Sequence, residues 1–202
     1  MDTASVATHA TVVGDGARQK LLDAGERCIV RRGDAKVRMV EVADEASVAR
    51  STLYRYYPTR EDLLLDMVLR RIERATIRWV AGLRRPDDAA HSIRELVLKP
   101  VAAVDDGDPV NVALYSGDRG VLASVLDDGA EAITGVLATH IGPLFKRWRD
   151  GGQLHPDLNL RETVQWMSAT TSFLLSSQWR HRPASAHRRF VDRYVLRALI
   201  LN

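Results

Sequence analysis

The chain has 202 residues, of which 46% are hydrophobic and 27% charged, which is typical of a folded globular protein and excludes a disordered one. No apolar run approaches the roughly 20 residues of a membrane-spanning helix, and the N-terminal segment lacks the basic start and apolar stretch of a signal peptide. The net charge of +3 does not by itself indicate a nucleic-acid partner. The single cysteine, Cys28, excludes an intrachain disulfide and fits a protein of the reducing cytoplasm.

Helical periodicity dominates the chain and no strand-like alternation persists, so the fold is predicted to be all-α. The first helix is expected to run from about Asp15 to Arg32, with Gly33 just past its end and the preceding residues as a frayed tail. Thr59 is a natural N-cap for a long fourth helix, whose apolar stripe extends from Leu63 to Leu83. The other predicted helices cover residues 39–46, 50–56, 89–104, 109–115, 117–126, 128–150, 160–181 and 185–201.

The segment from Ala46 to Arg60 is basic and contains no carboxylate. Arg50, Arg55 and Arg60 are interleaved there with tyrosines, whereas acidic residues flank the segment on both sides. Such a surface suits the phosphate backbone of a nucleic acid. On composition alone, a solvated basic face is the alternative interpretation.

Two short predicted helices joined by a three- or four-residue turn have the layout of a helix-turn-helix. Their inward positions are small or aliphatic, so the helices can cross closely and the second can enter a major groove. On its outer face Arg50 can form two hydrogen bonds to guanine, and Ser51 can bond either kind of base edge. The hydroxyl groups available for phosphate contacts are those of Thr52, Tyr54 and Tyr56. Arg60 begins the fourth helix, where the helix N-terminus favours an anion.

Residues 51–61, with the sequence STLYRYYPTRE, resemble the recognition-helix signature of the tetracycline-repressor (TetR) family of regulators. The similarity covers about Ala17 to Met67, and the segment RWRDGGQL at 147–154 resembles the family's glycine-containing turn before its eighth helix. The resemblance implies an N-terminal three-helix helix-turn-helix domain at 15–60 and a helical ligand-binding and dimerisation domain at 61–202. The predicted DNA-binding residues are Arg38, Ala49, Arg50, Ser51, Thr52, Tyr54, Tyr56 and Arg60.

Four positions depart from the family's pattern. Ser47 occupies a turn position that is usually glycine, and at positive φ a serine costs about 1 kcal/mol. Ala49 replaces the usual Ser or Thr cap of the recognition helix, which is worth roughly 0.5–2 kcal/mol. Arg38 stands at the usual Thr cap of the preceding helix, and Val40 stands where a basic residue is common. We therefore expect weaker operator binding than is typical of the family.

The resemblance implies that the last two long helices pack against their copies in a second subunit and form a four-helix bundle. Their apolar stripes are compatible with this, although an intramolecular core would use the same stripes. Dimerisation is favoured because one recognition helix contacts too few base pairs to be selective. Two copies about 34–36 Å apart can recognise a palindrome in double-stranded DNA.

The ligand site is inferred from the resemblance, and an apolar or amphipathic small-molecule effector is expected because no charged constellation specifies another kind. Trp148 and Trp166 are preferred, since tryptophan combines a large apolar face with one donor. The full set of candidate ligand-binding residues, each of which is alternatively a core residue, is Trp79, Tyr115, Phe145, Trp148, Trp166, Met167 and Phe173.

The predicted function is a ligand-responsive transcriptional regulator, a repressor by analogy with the family, that binds a palindromic operator as a homodimer. The alternative is a helical protein-interaction or small-molecule-binding protein of the same fold that has lost specific DNA binding. An enzyme is not expected, because the six histidines are scattered without metal-ligand spacing and Cys28 has no histidine near it in sequence. No cofactor, metal ion or membrane association is predicted.

Overall fold

The computed structural model describes residues 4–104, 107–116, 119–176 and 178–201, and the side chains of all of these except 4–15, 115–116 and 119–123. Apart from one antiparallel bridge between Leu154 and Ile200, the regular elements of the described residues are helices, which confirms the predicted all-α fold. They are α1 (Ala4–Arg32), α2 (Met39–Glu45), α3 (Arg50–Tyr56), α4 (Arg60–Ala81), α5 (Ala89–Ala103), α6 (Pro109–Ser116), α7 (Arg119–Asp128), α8 (Ala130–Asp150), α9 (Leu160–Leu174), α10 (Ala184–Phe190) and α11 (Arg197–Leu199), the last two joined by a π-helical stretch (Val191–Leu196).

The first of two compact units consists of the chain up to Val68 together with Pro109–Asp128. Within this unit α1 packs against α2 and α6. A Cβ atom on Gly25 of α1 would lie 2.7 Å from the Sδ atom of Met67, so the glycine permits the close approach of α1 and α4. The fully buried side chains of this core include Leu21, Leu22, Ile29, Val42, Leu53, Leu63 and Leu64.

The second unit consists of Leu69–Asp108 and the chain from Gly129 onward. Here α5 packs against α9 and the π-helical stretch, and α8 packs against α9. Trp148 of α8 belongs to the apolar cluster of this unit, with 1% of its surface exposed. Its indole Nε1–H donates a hydrogen bond to the carbonyl oxygen of Pro86 at 2.7 Å, which satisfies the one polar group of a buried tryptophan.

The largest differences from the predicted helix boundaries are at the start of the first helix and at the end of the ninth. The first helix begins at Ala4 rather than near Asp15, so the prediction of a frayed tail up to that residue was wrong; no proline interrupts the segment before Asp15. The ninth helix ends at Leu174 rather than His181. The chain turns there because Trp179 packs against Phe173, with ring centroids 5.3 Å apart. None of the described helices has the length and apolarity needed to cross a bilayer.

Ser47 lies in the turn between α2 and α3 with a φ of 51°, which confirms the strained turn that the sequence suggests. Replacing Ser47 with glycine is expected to raise the free energy of unfolding by about 1 kcal/mol, because glycine adopts positive φ without a Cβ clash. Urea denaturation followed by circular dichroism measures the change. Ser47→Ala, which keeps the Cβ atom, is the control, and an equal gain from that variant would refute the explanation.

Candidate nucleic-acid interface

The helix-turn-helix is formed by α2, a short turn and α3, which pack closely on small side chains. Val42, Ala43, Ala46 and Leu53 are fully buried, as the inward positions of the motif require. The amide N–H of Val48 donates to the carbonyl oxygen of Ala43 at 3.0 Å and so closes the turn. The sequence therefore predicted both the two helices and the residues that join them.

The opposite face of α3 is exposed. Arg50, Ser51 and Tyr54 all lie on it, and 47% of the tyrosine surface is accessible. The guanidinium of Arg55 stacks on the ring of Tyr56, with its Cζ atom 5.6 Å from the ring centroid. This face combines an exposed arginine with hydroxyl donors and a cation on an aromatic ring, which are types of group that can contact bases and phosphates.

Two other predicted contact residues, Arg38 and Arg60, lie at the starts of helices. Arg38 precedes α2 and is exposed, with its guanidinium 3.8 Å from the carboxylate of Glu41. Arg60 begins α4, and its Nη2 atom lies 2.7 Å from Oε1 of Glu61. The ion pair lowers the pKa of Glu61 and offsets part of the positive charge of Arg60. Arg60 is therefore less free to contact a phosphate than the sequence suggested.

Thr59 caps α4 as predicted. The amide N–H of Asp62 donates to the threonine Oγ1 atom at 3.1 Å, and the amide N–H of Thr59 donates to the carboxylate of Asp62 at 2.9 Å. This reciprocal pair satisfies two of the free N–H groups at the helix start. These two hydrogen bonds therefore fix the conformation of the chain at the start of α4, a few residues after the end of α3.

Ala49 occupies the N-cap position of α3 in an extended conformation. Replacing it with serine is expected to stabilise the protein by roughly 0.5–2 kcal/mol, because the hydroxyl can accept a hydrogen bond from a free N–H in the first turn. The free energy of unfolding in urea measures this effect. Ala49→Val, which offers no acceptor, serves as the control, and the explanation fails if valine stabilises the protein as much as serine.

Two of the three carboxylates of α2, those of Glu41 and Glu45, are paired with arginines of α1. Glu45 accepts hydrogen bonds from Arg27 at 2.6 Å and from Arg31 at 2.8 Å, and Arg32 binds Glu41 at 3.2 Å. The bonds from Arg31 and Arg27 lower the pKa of Glu45, which keeps this carboxylate ionised and paired. Glu41 and Glu45 consequently add little net negative charge beside the exposed face of α3.

Three residues behind α3 form a network that the sequence analysis missed. The hydroxyl of Tyr57 donates to the Asp66 carboxylate at 2.5 Å. Arg18 donates to the same carboxylate from Nε at 2.7 Å and from Nη2 to the other oxygen. Burial, and then the bond to Asp66, raise the pKa of Tyr57. The sequence did contain a signal for this network. Asp66 lies between Leu63 and Met67 on the apolar stripe of α4, where an unpaired carboxylate is unfavourable.

The candidate ligand-binding residues fall into separate groups. Phe145, Trp148 and Met167 belong to the apolar cluster of the second unit, and Trp79 packs against it. Trp166 and Phe173 are instead 46% and 40% exposed. The side chain of Tyr115 lies outside the described residues. Of the candidates whose side chains the structure describes, four therefore lie in or against the apolar cluster and two are exposed.

The N-terminal segment matches a known family. Residues 21–67 match the model of the bacterial regulatory proteins of the tetR family, a range that contains α2, α3 and every predicted DNA contact. The chain is 32% identical over 93 residues to the HTH-type transcriptional repressor KstR of Rhodococcus jostii, covering 46% of this chain and 42% of that protein. It is 27% identical over 128 residues to an HTH-type transcriptional regulator of Mycobacterium tuberculosis, and that match spans 63% of each protein.

Solved structures show the same fold. The repressor QsdR of R. erythropolis superposes with a TM-score of 0.66 at 17% identity, covering 88% of this chain and 92% of that one. NalD of Pseudomonas aeruginosa, the secondary repressor of a multidrug efflux pump, superposes with a TM-score of 0.52 at 17% identity, covering 94% and 99%. The chain is therefore similar to the tetR family of bacterial regulatory proteins: residues 21–67 match the model of that family, and the described helices have the fold of QsdR and NalD.

Proposed function

We propose that the protein is a transcriptional repressor that binds a palindromic operator through α3. The observation that supports this most directly is the division of α3 into two faces. Leu53 is buried, while Arg50, Ser51 and Tyr54 are exposed, so the helix can enter a major groove with its polar side outward. Repression is favoured over activation by the name of KstR, a transcriptional repressor with 32% identity over part of the chain.

A homodimer is proposed because a palindrome requires two recognition helices. The exposed surface of the second unit contains three large aromatic side chains, those of Trp166, Phe173 and Tyr194. They lie on α9 and on the π-helical stretch, the helices that were predicted to pair. Burying such rings against a second copy is favourable, since aromatic side chains dominate the energetics of interfaces. Sedimentation equilibrium should give a dimer, and Trp166→Arg should shift the protein toward the monomer.

A small apolar or amphipathic effector is proposed to release the operator. The site we propose for it is the apolar cluster around Phe145 and Met167, because ligand pockets are lined mainly by apolar and aromatic side chains. The helix α4 is continuous from Arg60 to Ala81 and offers a route from the effector to the DNA-binding helices. An effector can shift the equilibrium only by its difference in affinity for the two states. A Gly-Gly insertion after Ala75 should uncouple release from effector binding.

The decisive experiment is a binding selection on fragmented genomic DNA from the source organism, with the salt concentration varied. Tyr54→Ala is carried in parallel, because this exposed tyrosine supports the proposed interface without contributing to the core. Enrichment of a palindrome that weakens with salt and is lost in the variant would establish the function. A folded protein that enriches no sequence at low salt would refute it.

A second candidate is a protein of the same fold that has lost specific DNA binding. The positive φ of Ser47 and the absence of a side-chain acceptor at Ala49 favour it, since both weaken the helix-turn-helix. The same selection separates the two candidates. Restoring Ser47→Gly and Ala49→Ser together should recover enrichment only if DNA binding was lost through these positions.

A further inference from the structure

The Tyr57–Asp66–Arg18 network joins three helices behind the exposed face of α3. Tyr57 follows the last residue of α3, Asp66 lies in α4, and Arg18 lies in α1. The carboxylate of Asp66 accepts the tyrosine hydroxyl and both nitrogens of a two-point arginine contact. Such charge-assisted bonds are stronger and more directional than contacts between neutral groups.

The orientation of α3 depends on few attachments. It has seven residues, too few to persist as an isolated helix in water, and Ala49 offers no side-chain cap at its start. Its buried side is held by Leu53 and, directly after its last residue, by Tyr57, whose amide N–H donates to the carbonyl oxygen of Leu53 at 2.9 Å. Apolar packing of Leu53 is non-directional, whereas the hydroxyl bond of Tyr57 has a preferred angle.

The hydrogen bond between Tyr57 and Asp66 is largely shielded from water, whereas Arg18 at the outer end of the network is half-exposed. Tyr57 is only 5% exposed, and the side chain of Asp66 is 13% exposed. A hydroxyl and a carboxylate in such surroundings lose more when they are unpaired than they would in solvent. The hydrogen bond to Asp66 therefore holds the hydroxyl of Tyr57 in one position, and this fixes the end of α3.

We propose that Tyr57 is a positioning residue for operator recognition: its hydroxyl, held by Asp66 and Arg18, sets the orientation in which α3 presents Arg50 and Ser51 to the bases. The inference rests on the proposed DNA-binding function. Hydrogen bonds to base edges need an accurately placed helix, while phosphate contacts tolerate small shifts. Loss of the hydroxyl should therefore affect discrimination between sequences more than general affinity for DNA.

The test uses the full chain, the operator obtained by selection and an unrelated DNA of equal length. Tyr57→Phe keeps the ring and removes only the hydroxyl. Its matched control is Ile29→Val, which trims a fully buried side chain of α1 in the same unit without touching the network. We expect Tyr57→Phe to weaken operator binding by about tenfold, the order of one hydrogen bond to a charged group. Binding to unrelated DNA should change by less than about twofold, with the same dependence on salt.

A second variant, Arg18→Lys, tests the other end of the network. Arg18 is half-exposed, so lysine can be accommodated, and the positive charge remains while the two-point contact is lost. We expect a smaller loss of discrimination of the same kind. The double variant should lose less than the product of the two single effects, because both residues act through Asp66.

Each outcome of these measurements bears on the proposal. If Tyr57→Phe and Ile29→Val discriminate the operator equally well while folded, the network is only structural and the inference is overturned. If Tyr57→Phe does not fold, Arg18→Lys decides: full operator discrimination in that variant overturns the inference. If the wild-type chain itself binds no sequence specifically, the proposed function fails, and the inference fails with it. Failure of the inference alone is recognised because the wild type then still binds the operator.

Discussion

Replacing Arg50 with alanine is expected to weaken binding to the selected operator by roughly 1–3 kcal/mol, or about 5- to 150-fold. Arg50 is exposed at the start of α3, the part of a recognition helix that lies nearest the bases. Its guanidinium can form two hydrogen bonds with one guanine, and alanine can form none. The loss should be concentrated at one base pair of each half-site, which a repeated selection with the variant would reveal as relaxed sequence preference.

Arg84→Ala provides the matched control for this prediction. Arg84 is exposed in the loop after α4, so the variant removes the same charge from a residue that is not part of the helix-turn-helix. The operator affinity of Arg84→Ala should stay within about twofold of the wild type, because the long-range effect of one exposed charge is screened at physiological salt. Equal losses in both variants would show that Arg50 acts only through net charge.

Truncating Trp148 to alanine is expected to lower the free energy of unfolding by about 3–5 kcal/mol, as deletion of a large buried aromatic side chain does elsewhere. The residue is 1% exposed within the apolar cluster of the second unit. The variant also removes the hydrogen bond from Nε1 to the carbonyl oxygen of Pro86. Urea denaturation monitored by circular dichroism measures the loss.

Trp148→Phe separates the two contributions of this side chain. Phenylalanine fills most of the volume but cannot donate to Pro86, so we expect an intermediate loss of about 1–3 kcal/mol. A loss below about 1 kcal/mol in the alanine variant would contradict this and would place Trp148 at the wall of a cavity. Such a small loss in the alanine variant would favour the ligand-binding role that the sequence suggested for Trp148.

The helix-turn-helix shows what local sequence determines. The bounds of α3 were predicted correctly and those of α2 to within one residue, because their caps, turn and apolar positions all lie within a few residues of one another. Ser47 was identified as strained from its position in the turn, and its φ of 51° agrees. The cap of α4 by Thr59 was likewise evident, since N-capping depends on the residue before the helix and those in its first turn.

The helical C-terminal part was predicted less accurately, because its boundaries depend on distant residues. The ninth helix ends early, and Trp179 packs against Phe173 and Phe190 across the turn that follows. The exposed positions of Trp166 and Phe173 were also not predictable, since one apolar stripe serves equally well for a core or for an interface. The DNA-contact and ligand-contact residues themselves remain predictions.

The sequence by itself determined the all-α class, the helix-turn-helix with its exposed Arg50 and Tyr54, and the departures at Ser47 and Ala49, because each of these depends on periodicity or on near neighbours. Only the tertiary structure decided which charges meet. Arg18 and Asp66 are 48 residues apart, Trp148 and Pro86 are 62 apart, and Arg94 and Asp192 are 98 apart. Such pairs form after the chain has folded back on itself, and no local pattern specifies them.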